Sequence, residues 1–158
     1  MIFSFVINKY TGKDYSYLND FLKDGSVMKF SKKDLKSWAY YLHSSLQYRK
    51  SNVPNGIVVF RGISLPAPNN WKVGSRFYFA EFVSTSLRID VAKRFAEGGI
   101  ILAITIKNNG TEGRNNYCRY VGDISEYKEE DEVLITAFCI FTIKKIQGKI
   151  YYLDCEGY

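Results

Sequence analysis

The chain has 158 residues, the length of one domain spanning 1–158, enough to bury about two-thirds of the surface its unfolded form exposes. A composition 46% apolar and 16% aromatic excludes a disordered chain, and the 13 Tyr and 11 Phe favour strands. The net charge of +6 suits an acidic protein, phosphate groups or nucleic acid, yet no nucleic-acid reader motif lies among Lys29, Lys32, Lys33, Lys36, Lys144, Lys145 and Lys149. A solvated basic face is the simpler reading, and nucleic acid is not expected as a partner.

At the start, the apolar stretch from Ile2 to Ile7 is short and has no basic region before it, so no secretory signal is read there. No run is long enough to span a membrane. Tyr15, Leu18, Phe21 and Leu22 follow helical spacing and predict a first helix that stops at Asp24-Gly25. Ser31 reads as an N-cap with Asp34 three residues on. From there Leu35, Trp38, Ala39, Leu42 and Leu46 form one apolar stripe, which predicts a second helix ending before Val53-Pro54. His43 lies on that helix and is given no catalytic role.

After Pro54 the character changes. The run 57–60 is β-branched and aromatic, as in a buried strand. Further strands are expected at 76–79, 81–84, 99–107, 132–143 and 149–153, with a short helix over 90–96 ended by Gly98-Gly99. The polar segment 108–128 reads as a functional loop. Cys118, Cys139 and Cys155 are widely spaced and odd in number; they show neither a disulfide framework nor zinc spacing, so no metal is expected and a reducing, cytosolic site of action is. Helices first and strands afterwards predict an α+β fold, and no glycine-rich strand-to-helix turn marks a Rossmann domain.

Three short segments then stand out. Arg61 ends an apolar strand, where a guanidinium is costly unless it meets an anion such as a pair of phosphate oxygens; the bland alternative is an exit from the sheet toward a surface carboxylate. Gly62 lets a ligand approach the backbone closely. Ser84-Thr85-Ser86 offers three hydroxyls to a ligand or a carboxylate, or simply caps the next helix. In Glu129-Glu130-Asp131-Glu132, residues two apart on a strand share a face, so Glu130 and Glu132 are expected roughly 7 Å apart in one site, with Arg61 as their cation. The alternative is a charged turn before a strand. Together the three segments suit a cofactor with a pyrophosphate and a ribose whose glycosidic bond is broken, because a carboxylate stabilises the oxocarbenium-like state.

In this order, Arg61, Ser84-Thr85-Ser86 and Glu130-x-Glu132 resemble the signature of the arginine-type mono-ADP-ribosyltransferases. Tyr10-Thr11 with Tyr15, Asn19 and Leu22 resembles that family's opening helix. The loop and strand from Ile124-Ser125 to Ile135, and the closing 149–153, extend the likeness over essentially the whole chain. The resemblance implies two packed, mainly antiparallel sheets forming an NAD-binding cleft flanked by N-terminal helices. It implies NAD as co-substrate, a target protein with an acceptor arginine as partner, and no membrane; we expect a monomer. Arg61 would bind the phosphates or adjacent ribose, the Gly62 backbone the carboxamide, and Ser84 would position Glu132. Thr85, Ser86 and Glu132 complete the expected NAD site. Glu132 would act on the ribose, Glu130 on the acceptor guanidinium, and Tyr127 in substrate recognition. Phe95, eleven residues after Ser84, either stacks on nicotinamide or is core. The same residues are compatible with an NAD glycohydrolase or with a non-catalytic binding module of the same fold.

Overall fold

The computed structural model of the chain describes residues 7, 8, 10–12, 15–25, 31–48, 53–107 and 117–157. Both expected N-terminal helices form. Helix α1 (Tyr15–Asp24) turns its Leu18 inward and stops at Gly25, whose φ of 77° is accessible to glycine at little cost. Helix α2 (Lys32–Tyr48) opens with the expected cap: the Asp34 N–H donates to Ser31 Oγ (3.1 Å) and the serine hydroxyl donates to Asp34 Oδ2 (2.6 Å). Leu35, Trp38, Leu42 and Leu46 form its buried stripe and pack with Tyr10, Leu18, Phe82, Val121 and Leu134.

Among the described residues eight strands follow: β1 (Val58–Ile63), β2 (Arg76–Tyr78), β3 (Val83–Ser86), β4 (Ile100–Ile106), β5 (Cys118–Tyr120), β6 (Glu132–Ile135), β7 (Ile140–Gln147) and β8 (Ile150–Cys155). Helix α3 (Ile89–Ala96) connects β3 to β4. The strand order is β2-β7-β8-β4-β1-β3-β6-β5, antiparallel throughout except for the parallel pair β4–β8. Instead of two separate sheets, the ladder is thus continuous. Its weak point is the join of β1 to β3, a single registered pair, Phe60↔Ser86. On one side lie five strands, on the other the three strands β3, β6 and β5.

One expected strand, 132–143, is in fact two, and they go to opposite ends of this order. The sequence from Glu132 onward is so uniformly apolar that no period marks the break. It falls at 136–139, where Phe138 takes φ of 64° and its N–H donates to Phe79 O (2.8 Å). Five residue steps from Ile135 to Ile140 reach at most about 17 Å. Five strand spacings on a flat sheet cover about 24 Å. The ladder therefore curls, and its two halves share one core: Val83, Cys118, Val133 and Ile135 of the three-stranded half pack with Val59, Leu102, Ile104, Phe141 and Leu153 of the other. Cys139 and Cys155, both free and buried, belong to the same core. In the expected loop 108–128, residues 108–116 lie outside the described residues, and the remainder contains the unforeseen strand β5.

Candidate active site

The cleft opens where the sheet splits. Past the one β1–β3 pair the ladder gives way to a side chain, with Arg61 Nη1 donating to Ser84 O (3.1 Å). The resulting cavity of about 630 Å³ falls within the range of small-molecule sites. All nine residues singled out from the sequence line it: Arg61, Gly62, Ser84, Thr85, Ser86, Phe95, Tyr127, Glu130 and Glu132.

Helix α3 contributes Val91, Ala92 and Phe95 to the cleft wall. It lies so close on β1 that a Cβ on Gly62 would collide with the Ala92 carbonyl oxygen. The glycine is thus required by the helix, whatever a ligand needs. Phe95 on α3 is 56% exposed, which removes the core alternative for it.

The three hydroxyls do not act together, because successive strand residues point to opposite faces. Ser84 Oγ donates to Glu132 Oε2 (2.5 Å). Thr85 Oγ1 turns into the sheet and donates to Val133 O (2.6 Å), and Ser86 Oγ donates to Glu130 O (2.5 Å). Only Ser84 thus serves a carboxylate directly; the other two hold main chain.

The two glutamates are brought together by a device other than strand alternation. Lys128–Glu130 form a 3₁₀ turn, Asp131 follows with φ of 45°, and β6 starts at Glu132. The turn is strapped at three successive carbonyls: Arg88 Nη1 donates to Glu129 O (3.3 Å), Ser86 Oγ to Glu130 O, and the Leu87 N–H to Asp131 O (3.1 Å). Tyr120 Oη donates to Asp131 Oδ1 (3.0 Å) and helps to hold the left-handed residue.

Their environments differ. Glu132 is 4% exposed with both oxygens engaged, Oε2 by Ser84 and Oε1 by Ser125 Oγ (3.2 Å). Burial pushes its carboxyl up to about 7, against the two serine hydrogen bonds; Glu130 adds to the rise and Arg61 opposes it. Glu130 accepts no side-chain hydrogen bond among the described residues. Partial burial and neighbouring Glu129 raise its proton affinity, with Arg94 acting against them.

Arg61 is not the ion-pair partner of these acids. Its Nη2 lies 3.8 Å from Glu81 Oε1, and Glu81 also meets Lys23 (3.7 Å). Its Nε is buried and finds no acceptor among the described residues. His43 sits elsewhere, its Nδ1 2.7 Å from Thr136 Oγ1, and burial lowers its proton affinity.

Sequence reasoning overlooked three contributors. Glu81, an acid inside the aromatic run Phe77–Phe82, carried a signal that was readable. Tyr10, whose hydroxyl donates to Phe82 O (3.1 Å) and accepts from Asn19 Nδ2 (2.9 Å), was visible only as part of a helix. Ser125 entered the sequence reading only as the start of the loop and strand that carry the family likeness, since a serine in a polar loop does not reveal what it meets.

The family model described as ADP-ribosyltransferase exoenzyme matches residues 5–151. No curated protein sequence matches the chain. Among solved structures, the ADP-ribosylating toxin BECa of a binary enterotoxin of C. perfringens, determined with NADH, is 24% identical at a TM-score of 0.72. That match covers 95% of this chain and 42% of the toxin, so the chain spans less than half of that relative's length. The ADP-ribosyltransferase Vis of Vibrio splendidus, determined with agmatine, is 19% identical at a TM-score of 0.74, over 99% of this chain and 74% of that one. A variant of the eukaryotic mono-ADP-ribosyltransferase ART2.2 in complex with NAD is 19% identical at 0.71, over 96% and 64%. At these identities the likeness is one of fold.

Proposed function

The chain belongs to the ADP-ribosyltransferase exoenzyme family, and on that premise we propose that it binds NAD in this cleft and transfers ADP-ribose to an arginine of a target protein, releasing nicotinamide. The observation that carries the reading is the asymmetry of the two carboxylates: that of Glu132 is clamped at both oxygens, and that of Glu130, on the same cleft, accepts no hydrogen bond among the described residues. A clamped, buried carboxylate suits a cation that develops at a fixed place, the ribose carbon as its bond to nicotinamide breaks. An unengaged carboxylate suits an incoming group, here the acceptor guanidinium, whose nitrogen bonds to that carbon as nicotinamide leaves and whose proton passes to the carboxylate.

Nicotinamide leaves neutral from a positively charged ring, so no general acid is required, in keeping with the position of His43 outside the cleft. Arg61, which lines the cleft, supplies a guanidinium charge for the phosphates. Phe95 offers an exposed ring to nicotinamide, and Tyr127 an aromatic face to the acceptor guanidinium. Arginine as acceptor is supported by the acid at position 130, which suits a cationic acceptor, and by the agmatine in the Vis structure, which carries a guanidinium.

Incubation with labelled NAD and agmatine tests this. The wild type forms ADP-ribosyl-agmatine. Glu132→Gln loses nicotinamide release, while Glu130→Gln loses about 100-fold in transfer yet keeps part of the NAD hydrolysis. Normal transfer by Glu130→Gln would overturn the assignment of roles. Hydrolysis with no adduct on agmatine or on cell-lysate proteins would make the protein an NAD glycohydrolase.

A further inference from the structure

Two hydroxyls hold Glu132, and the reading above uses the clamp without saying what the second of them, Ser125, contributes. We propose that Ser125 is a positioning residue for that reaction, fixing the Oε1 side of Glu132 and tying this carboxylate to the segment that carries Tyr127. The catalytic consequence rests on the function proposed above; the contact does not.

Ser125 is 1% exposed. Its Oγ donates to Glu132 Oε1 (3.2 Å) and accepts from the Tyr127 N–H (3.2 Å). A hydroxyl has a single proton, so donating it to Glu132 while a lone pair takes the Tyr127 amide settles the rotor. With Ser84 alone, the carboxyl plane would be free to turn about its bond to the chain. With hydroxyls at both oxygens it is set.

The serine is itself well anchored. Its N–H donates to Val121 O (2.7 Å). On either side, the Glu126 N–H donates to Thr11 Oγ1 (2.8 Å) and Asn8 Nδ2 donates to Ile124 O (3.1 Å). The segment 124–127 is therefore held against the N-terminal residues, and Ser125 passes that placement to the carboxylate on β6. The other charged or titratable groups that face Glu132 are Arg61, Glu130 and Tyr10. None of them hydrogen-bonds to Glu132 in place of Ser125.

A double-mutant cycle on the full chain tests the contact without reference to activity. Ser125→Ala lowers the thermal midpoint of the parent and has much less effect in a Glu132→Met background, where the partner oxygen is gone. Equal losses in both backgrounds would reduce Ser125 to a general packing role and overturn the proposal. NMR titration with 13C-labelled glutamate provides a second reading: loss of a hydrogen bond to the ionised form moves the Glu132 midpoint up by about half a unit or more. An unchanged midpoint also overturns it. In turnover, Ser125→Ala lowers kcat for nicotinamide release about tenfold at pH 7, recovers as pH rises, and leaves KM for NAD within about twofold. A wild type that cleaves no NAD would refute the proposed function, and the cycle and the titration would still decide Ser125.

Discussion

Strands β4 and β6 are almost equally buried, yet burial does opposite things in them. β4 runs Ile100–Ile106 with only Thr105 less than buried, is hydrogen-bonded on both edges by β1 and β8, and contributes Leu102 and Ile104 to the main core. Every buried group there is apolar or paired, so removing it from water stabilises the fold. β6 is buried along its whole length too, but it begins with the carboxyl of Glu132. Next along, Val133 and Ile135 enter the main core while Leu134 joins the helical cluster, so Glu132 faces the helical side together with Leu134. Here burial opposes the charge, and two serine hydroxyls offset only part of that cost. One strand holds the molecule together, and the other keeps a carboxyl in an environment that works against its charge.

The most severe way to break this division is at the contact between α3 and β1. Gly62→Ala drives a methyl group into the backbone of α3 and is expected to cost about 3 kcal/mol or more, with loss of the cleft wall, as read by urea denaturation and NAD binding. Leu102→Ala addresses the stabilising strand alone. It should lose about 2–5 kcal/mol in denaturation while the molecules that remain folded keep their kcat/KM.

Glu132→Gln sharpens the contrast from the other side, because it should abolish nicotinamide release and stabilise the protein. The folded carboxyl titrates near 7 against an ordinary value of 4.5, so folding favours the protonated form. That contribution is complete below about pH 4.5 and is lost as pH rises through 7. Thermal scans should thus show the variant and wild type alike at pH 4.5, with a gap opening to as much as about 3 kcal/mol at pH 8. A gap independent of pH would mean that the buried charge is not its origin. The smallest expected effect is that of Tyr10→Phe, about 1–2 kcal/mol, from leaving Asn19 Nδ2 and the Phe82 carbonyl with one partner fewer.

Much of the chain was legible in advance. The helical stripes of α1 and α2, the Ser31 cap and the apolar run of β4 are written in neighbouring residues, and such local patterns need no partner to be recognised. The residues that line the candidate cleft were legible as types in order, since a guanidinium, a serine and paired acids stand out wherever they occur. Their roles were less so. Thr85 and Ser86 turned out to hold main chain, Arg61 pairs with Glu81, and Glu130 reaches the cleft from a 3₁₀ turn.

By itself, then, the sequence determined the α+β class, most of the elements and the chemical inventory of the cleft, because short-range periodicity and functional groups are properties of the chain alone. Only the tertiary structure decided where the run 132–143 breaks, which half of the curled sheet receives each piece, and that Ser125 meets Glu132. Those outcomes depend on how separate segments pack, through contacts such as Phe138 with Phe79 or Ser84 with Glu132, and no local pattern encodes a distance across the fold.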